Sequence, residues 1–301
     1  MSAQGSFETS AAVECEGRIQ PSQIQPSHST AAEESLSRRF SQDGFIVLEG
    51  LFEESAIDSL REQSLANYEE LQELLTSRNL VLGIGIKHGF KEIVQRHLHR
   101  FEMPYKMDAE EFSSAVLGCD RLMSVVRAIL GDFIIANKSI VLSLPGAEDQ
   151  AWHVDGGHLS MTEDLPCHCL NVFIPLVDVE HSDGPTELRP GSQFLTRDLK
   201  KQFLAAFMTK KLRKTEAPCL KRGGALLFDY RVLHRGLANT SSRPRPVLVY
   251  TFCKPYFKDV LNFPSYSVFD PHEGGQKEEE GQSPPPAPTH QEAPAPPPPL
   301  S

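Results

Sequence analysis

Between residues 134 and 252 the chain reads IIANKSIVLSL (134–144), CLNVFIPLVDV (169–179), GALLFDY (224–230) and RPVLVYTF (245–252). Each segment is short, rich in β-branched and aromatic residues, and bounded by Pro, Gly, Asp or Asn, the pattern of strands separated by turns. Upstream the period changes. Ile57, Leu60, Leu65, Tyr68, Leu71 and Leu75 recur at helical spacing behind the acidic pair Glu53–Glu54. Ala109–Leu117 and Arg121–Leu130 fit a helix pair that ends at Gly131. A short helix over Ala32–Phe40, stopped near Asp43–Gly44, and a strand FIVLEG (45–50) come first, and one further helix, Thr196–Leu212, is inserted among the strands. Helices followed by strands, without βαβ alternation, argue against a Rossmann-type sheet and predict an antiparallel sandwich or barrel.

Composition narrows the function. Of 301 residues 40% are apolar, enough for a sizeable core if they are concentrated in the middle. Acidic side chains outnumber basic ones, 40 to 30, for a net charge of −10. A general nucleic-acid binder would need a basic face, so no nucleic-acid partner is expected. The most apolar stretch, Phe133–Leu144, contains Lys138 and falls short of the ~20 residues that span a bilayer. The polar start MSAQGSFETS is not a secretory signal. The 6 cysteines form no CxxC and read as free thiols of a reducing compartment, which makes a cytoplasmic location the expectation. Residues 1–32 and 271–301 carry too few large apolar side chains to offset ordering entropy, so both are expected to be disordered around a domain spanning 33–270. The Pro-rich end has PxxP spacing (Pro285 to Pro288, Pro294 to Pro297) and could dock weakly on an aromatic groove.

The chemistry concentrates in AWHVDGGHL (151–159). On an extended strand the side chains of His153 and Asp155 point to one face, ~6–7 Å apart along it, so an imidazole and a carboxylate can reach one ion. Gly156 and Gly157 let the backbone turn away. Alone, this His-x-Asp pair is also what a surface turn would show. A second histidine is offered by His234, in FDYRVLHRG beyond a strand and 79 residues after Asp155. Two histidines and one carboxylate form a facial triad with open positions, which suits non-haem Fe(II) and O2 chemistry better than closed structural zinc. After His234 the chain runs HRGLANTSSRPRPVLVYTF, with Arg243 and Arg245 nine and eleven residues on. An arginine opening an apolar strand calls for a partner, and a bound dicarboxylate would satisfy it bidentately. Both arginines share one parity but differ in depth by ~6–7 Å, so Arg245, the inner one, is expected to reach the pocket and Arg243 to stay an exposed charge.

These residues resemble the phytanoyl-CoA dioxygenase family of Fe(II)/2-oxoglutarate oxygenases. The resemblance covers roughly 36–260: the entry SQDGFIVLEGLF, the block WHVDG, the run CLNVFIPLVDV with DGPTELRPGSQ, and GALLFDYRVLHRG followed by the PRP element. It implies a mainly β fold, a double-stranded β-helix (jelly roll) with N-terminal and inserted flanking helices. It implies that His153, Asp155 and His234 hold iron, that Arg245 grips 2-oxoglutarate, and that Asn171 and Phe173 face the cosubstrate while Leu170, Val172, Ile174 and Leu176 pack outward. Many members have a histidine where this chain has Gln193, a change expected to bear on pocket detail or local packing. His158 is expected in the pocket wall, and His88, His97, His99, His168 and His181 as ordinary polar residues.

The implied activity is a dioxygenase that decarboxylates 2-oxoglutarate to succinate with O2 and hydroxylates or desaturates a small organic or acyl substrate. A carboxylate at Asp155 leaves no site for halide, so halogenation is not expected. The basic run in GIGIKHGFKEIVQRHLHRFEMPYKM (83–107), with Lys87, Lys91, Arg96, Arg100 and Lys106, is expected to be a solvated face, although it could meet an anionic group such as a CoA phosphate. Two other readings stay open: a zinc hydrolase on the same ligands, and a non-catalytic jelly-roll scaffold with a binding tail.

Overall fold

The computed structural model describes residues 31–104, 110–198, 201, 204, 208, 213–258 and 262–270. The expected disordered ends and their PxxP elements lie outside these residues, apart from Ala31 and Ala32 in the first helix. Residues up to Val268 belong to one unit, and Phe269 onward to a second.

In the first unit, helix α1 (Ala31–Asp43) leads into strand β1 (Phe45–Leu48), and α2 (Glu54–Ser77) follows. A hairpin of β2 (Val94–His97) and β3 (Arg100–Pro104) precedes the helix pair α3 (Glu110–Gly118) and α4 (Asp120–Leu130). Then come β4 (Ile134–Ser143), β5 (Cys169–Pro175), β6 (Thr186–Leu188), β7 (Ala225–Asp229), β8 (His234–Gly236) and β9 (Arg245–Cys253). The larger sheet has the order β1-β7-β5-β9-β4-β3-β2, with every pairing antiparallel. A smaller sheet pairs β6 with β8 and is extended by bridges between His153 and His234 and between Leu188 and Glu216. This is a jelly roll with flanking helices, as the family resemblance implied.

Alternation of side chains across the larger sheet sets up everything else. On its outer face Leu170, Val172, Ile174, Leu248, Tyr250 and Phe252 join one core with Ile57, Leu60, Leu71 and Leu75 of α2 and Leu122, Val125, Val126 and Leu130 of α4. Each such large side chain removed from water contributes ~1.5–3 kcal/mol, which holds the helices on the sheet. The inner face carries Asn171, Phe173, Arg245, Val247, Val249 and Thr251, which line a cavity.

The structure departs from the sequence reading in three places. The expected helix Thr196–Leu212 begins as a single 3-10 turn, Thr196–Asp198; Lys201, Leu204 and Met208 are helical, and its other residues lie outside those described. The stretch 83–107, read without strands, contains the β2–β3 hairpin. Its RFEMP alternates, placing Phe101 and Met103 in the core and Arg100 and Glu102 in the cavity wall. His153 and Asp155 lie not on a continuous strand but on an irregular segment joined to the smaller sheet by one bridge.

Candidate metal and cosubstrate site

The segment carrying His153 and Asp155 is hung on the backbone around His234. His153 and His234 exchange both backbone hydrogen bonds, at 3.0 and 2.9 Å. The N–H groups of Asp155 and Gly156 donate to the Tyr230 carbonyl at 3.1 and 3.3 Å. A side chain at Gly156 would stand 2.3 Å from the Tyr230 ring, so only glycine allows this approach. These bonds bring one atom from each of His153, Asp155 and His234 within 4.8 Å of one another.

The imidazoles are oriented as metal ligands require. Nδ1 of His153 donates to the Ala151 carbonyl at 2.8 Å, and Nδ1 of His234 to the Val232 carbonyl at 3.0 Å. Each Nε2 is left as a lone pair facing Asp155, at 3.9 Å for His153 and 3.5 Å for His234. Burial holds the His234 pKa below its ordinary value, only partly offset by Asp155, so this ring is a neutral donor at neutral pH. The Asp155 carboxylate is aimed by Asn171, whose Nδ2 donates to Oδ2 at 2.6 Å. Thr251 in turn donates to Asn171 Oδ1 at 2.8 Å, which fixes the amide orientation. A donor set of two neutral imidazoles and one carboxylate fits Fe(II).

The triad opens into a cavity of about 420 Å³, within the size range of small-molecule sites. Arg245 lies in its wall, 4% exposed. Its guanidinium has no hydrogen-bond partner among the described residues, and Nε is buried. Burial, reinforced by the neighbouring charge of Arg100, lowers its pKa to about 9, so it remains cationic at neutral pH. A buried cation without a partner is costly until an anion arrives, and a carboxylate fits this one. Phe173 lines the same cavity, edge-on to Phe228 at 4.9 Å.

Several expectations change here. Arg243 precedes β9 and turns away from the cavity. It is 47% exposed in its side chain but makes two bonds to the buried Asp183 carboxylate, at 2.9 and 2.7 Å, and so is not a free charge. Those bonds hold Asp183 down at a pKa of about 2. The basic run is not one solvated face. Lys87 and Lys91 are exposed, Arg96 is paired with Glu102 at 2.6 Å, and Lys106 lies outside the described residues. Arg100 is 1% exposed, lines the cavity and shares a row with Ser143 and Arg245 across β3, β4 and β9. Its Nη2 donates to the carbonyls of Glu148 and Leu237, while its Nε is buried without a partner.

His158 is not among the cavity-lining residues and bonds Thr196 at 2.9 Å, whereas His97 does line the cavity. Gln193 is buried away from the cavity and donates to the Ser41 carbonyl at 3.3 Å, so its role is local packing. Sequence reasoning passed over Tyr230, Asn262 and Phe263, which also line the cavity. Asn262 donates to the Asp155 carbonyl at 3.1 Å and to the Tyr230 hydroxyl at 2.8 Å. The alternation in RFEMP was the one available signal for Arg100; Asn262 had none.

Residues 40–247 match the family model described as phytanoyl-CoA dioxygenase (PhyH). Among curated proteins, the ectoine dioxygenase of Halomonas elongata is 31% identical over 148 residues, covering 42% of this chain and 45% of that one. The ectoine dioxygenase of Sphingopyxis alaskensis is 24% identical over 229 residues, covering 68% and 71%. The chain thus spans less than half the length of the first and about seven-tenths of the second. Among solved structures, HygX from Streptomyces hygroscopicus with nickel and 2-oxoglutarate bound superposes with a TM-score of 0.52 at 16% identity, covering 77% of this chain and 89% of that one, a likeness of fold.

Proposed function

The chain belongs to the phytanoyl-CoA dioxygenase family of Fe(II)- and 2-oxoglutarate-dependent dioxygenases, and on that footing we propose how its own residues divide the work. His153, Asp155 and His234 hold the iron, and Arg245 grips the distal carboxylate of 2-oxoglutarate. Bound iron, with 2-oxoglutarate and O2, supplies the oxidising chemistry that releases succinate and CO2 and hydroxylates or desaturates a substrate C–H bond. The two imidazoles supply neutral nitrogen lone pairs. Asp155 supplies the third ligand and one negative charge, held in place by Asn171. Arg245 and the apolar side chains of Phe173, Val247 and Val249 orient the cosubstrate and keep water from its chain. Arg100 is the second cation that a dianionic cosubstrate meets.

The observation that carries this reading is a partnerless buried Arg245 in the same cavity as three converging metal-ligand atoms. A zinc hydrolase has no use for such an arginine, and neither that reading nor the non-catalytic scaffold is supported. The substrate is a small organic molecule, taken into the part of the cavity lined by Arg96, Glu102, Asn137 and Phe263. The domain limits 33–270 and a cytoplasmic setting belong to the same proposal; among the described residues no helix is long and apolar enough to cross a membrane. The test is anaerobic titration with Fe(II) and then 2-oxoglutarate, followed by O2 and a succinate assay. A metal-to-ligand charge-transfer band and stoichiometric succinate are expected. A protein that binds neither would overturn the proposal.

A further inference from the structure

Behind the two histidines, on neighbouring residues, lies a contact that the ligand set leaves unexplained. Trp152 precedes His153 and Arg235 follows His234. The histidines face each other across an antiparallel bridge, so their neighbours are brought together as well. Neither Trp152 nor Arg235 lines the cavity. The Arg235 guanidinium lies 4.9 Å from the centre of the Trp152 ring, within cation–π range. Arg235 cannot swing freely. Its Nε donates to Glu187 at 2.7 Å, directly opposite on β6, and Nη1 meets Asp149 at 3.1 Å, three residues before Trp152. Arg189 approaches the same ring at 5.4 Å. The next link of the ladder is irregular: Gln150 uses its backbone N–H on the Gly236 carbonyl at 2.9 Å and its side-chain Oε1 on the Gly236 N–H at 3.0 Å. The ladder beside the two histidines thus has one regular bridge, flanked by the irregular Gln150–Gly236 link on one side and the bonds to the Tyr230 carbonyl on the other.

We propose that Trp152 and Arg235 form a positioning brace for the iron site, a cation–π stack that holds the His153 and His234 segments at ligand spacing. The proposal rests on the assignment of those two histidines as ligands. Without the stack the segments keep the His153–His234 bridge and the flanking bonds of Gln150 to Gly236 and of Asp155 and Gly156 to Tyr230, but lose the side-chain contact directly behind the two histidines, so each imidazole gains room to drift with its backbone. Loss of a contact that orients a metal ligand typically weakens metal binding ~10–100-fold.

The test uses the full chain and Co(II) as an oxygen-stable probe of the Fe(II) site, read by its visible absorption and, in wild type, by the fluorescence of the only tryptophan, Trp152. Wild type should bind one Co(II), with tryptophan emission quenched in step with occupancy. Arg235→Ala should weaken Co(II) about tenfold and alter the visible bands. Trp152→Phe, which keeps a flat ring and guards against misfolding, should weaken it about threefold. Arg235→Lys keeps a positive charge for Glu187 and Asp149 but not the planar stack, and should recover less than half of the loss. Wild-type affinity in both Arg235→Ala and Trp152→Phe would overturn the brace. So would full rescue by Arg235→Lys, which would assign the effect to the carboxylate pairs instead. Wild type that binds no Co(II) would refute the ligand assignment itself, a separate failure.

Discussion

Asn171 on β5 donates its amide to the Asp155 carboxylate at 2.6 Å, so a rigid strand of the larger sheet aims a carboxylate that rides on an irregular segment. As the metal ligand proposed above, Asp155 on its loop needs such a partner, because nothing in the loop's own backbone fixes its χ angles. We expect Asn171→Ala to weaken Co(II) or Fe(II) binding ~10-fold. Asn171→Asp should do more damage, since it sets a second negative charge beside the first. Isothermal titration with Co(II) under nitrogen measures both, and unchanged affinity in Asn171→Asp would show that Asp155 is aimed by something else.

Arg243 and Arg245 are two residues apart and serve different ends. Arg245→Ala should raise the 2-oxoglutarate Kd of the metal-loaded protein at least ~30-fold, as for truncating one side of a buried charged pair. Arg245→Lys should recover part of that, because an ammonium cannot make two parallel bonds. Arg243→Ala should leave the Kd within about twofold. It should instead lower stability by about 1–3 kcal/mol, because buried Asp183 loses its two bonds while Arg243 itself was half in solvent. Denaturant melts and 2-oxoglutarate titrations separate the two effects. A damaged 2-oxoglutarate site in Arg243→Ala would shift the assignment by one pair of residues.

His168 makes the fold sensitive to acid. Both ring nitrogens are buried without partners, and the ring packs on Phe257 at 4.8 Å between centres. Burial, with Arg231 nearby, pushes its pKa down to about 4. The unfolded chain takes up the proton near 6.5 and the folded chain only near 4. Stability is therefore full above about 6.5 and falls as the pH drops toward 4, by at most about 3 kcal/mol. His168→Phe removes both the stranded nitrogens and this titration. Its Tm should fall less than that of wild type between pH 7 and pH 5, with equal slopes counting against the assignment.

Gly156→Ala is the smallest change expected to open the metal site. The added carbon would overlap the Tyr230 ring, so either the ring or the Asp155 segment must move. Both Asp155 N–H and Gly156 N–H hang on the Tyr230 carbonyl, so the shift should cost metal affinity rather than global stability. A Tm within a few degrees of wild type, with Co(II) binding weakened at least ~10-fold, is the expected pair of results. Normal Co(II) binding would show that the segment has room to adjust.

The parts legible in the sequence are those written in short-range spacing. His153 and Asp155 are two apart, Arg245 follows His234 by eleven, and the parity of CLNVFIPL separates Asn171 and Phe173, in the cavity wall, from Leu170, Val172 and Ile174, in the core. Such patterns survive because period-2 alternation and side-chain chemistry are local properties. The strands β4, β5, β7 and β9 were legible for the same reason. The partners that complete the site were not. Arg100 reads as one more charge in a basic run, and only the pairing of β3 with β4 and of β4 with β9 turns it inward beside Arg245. Asn262 reaches the carbonyl of Asp155 from 107 residues away. Arg243 looks like an exposed charge until chain closure sets Asp183, 60 residues upstream, against it. Which segments meet depends on burying one continuous core between sheet and helices. That is a property of the whole chain, so no local pattern encodes it and only the tertiary structure decides it.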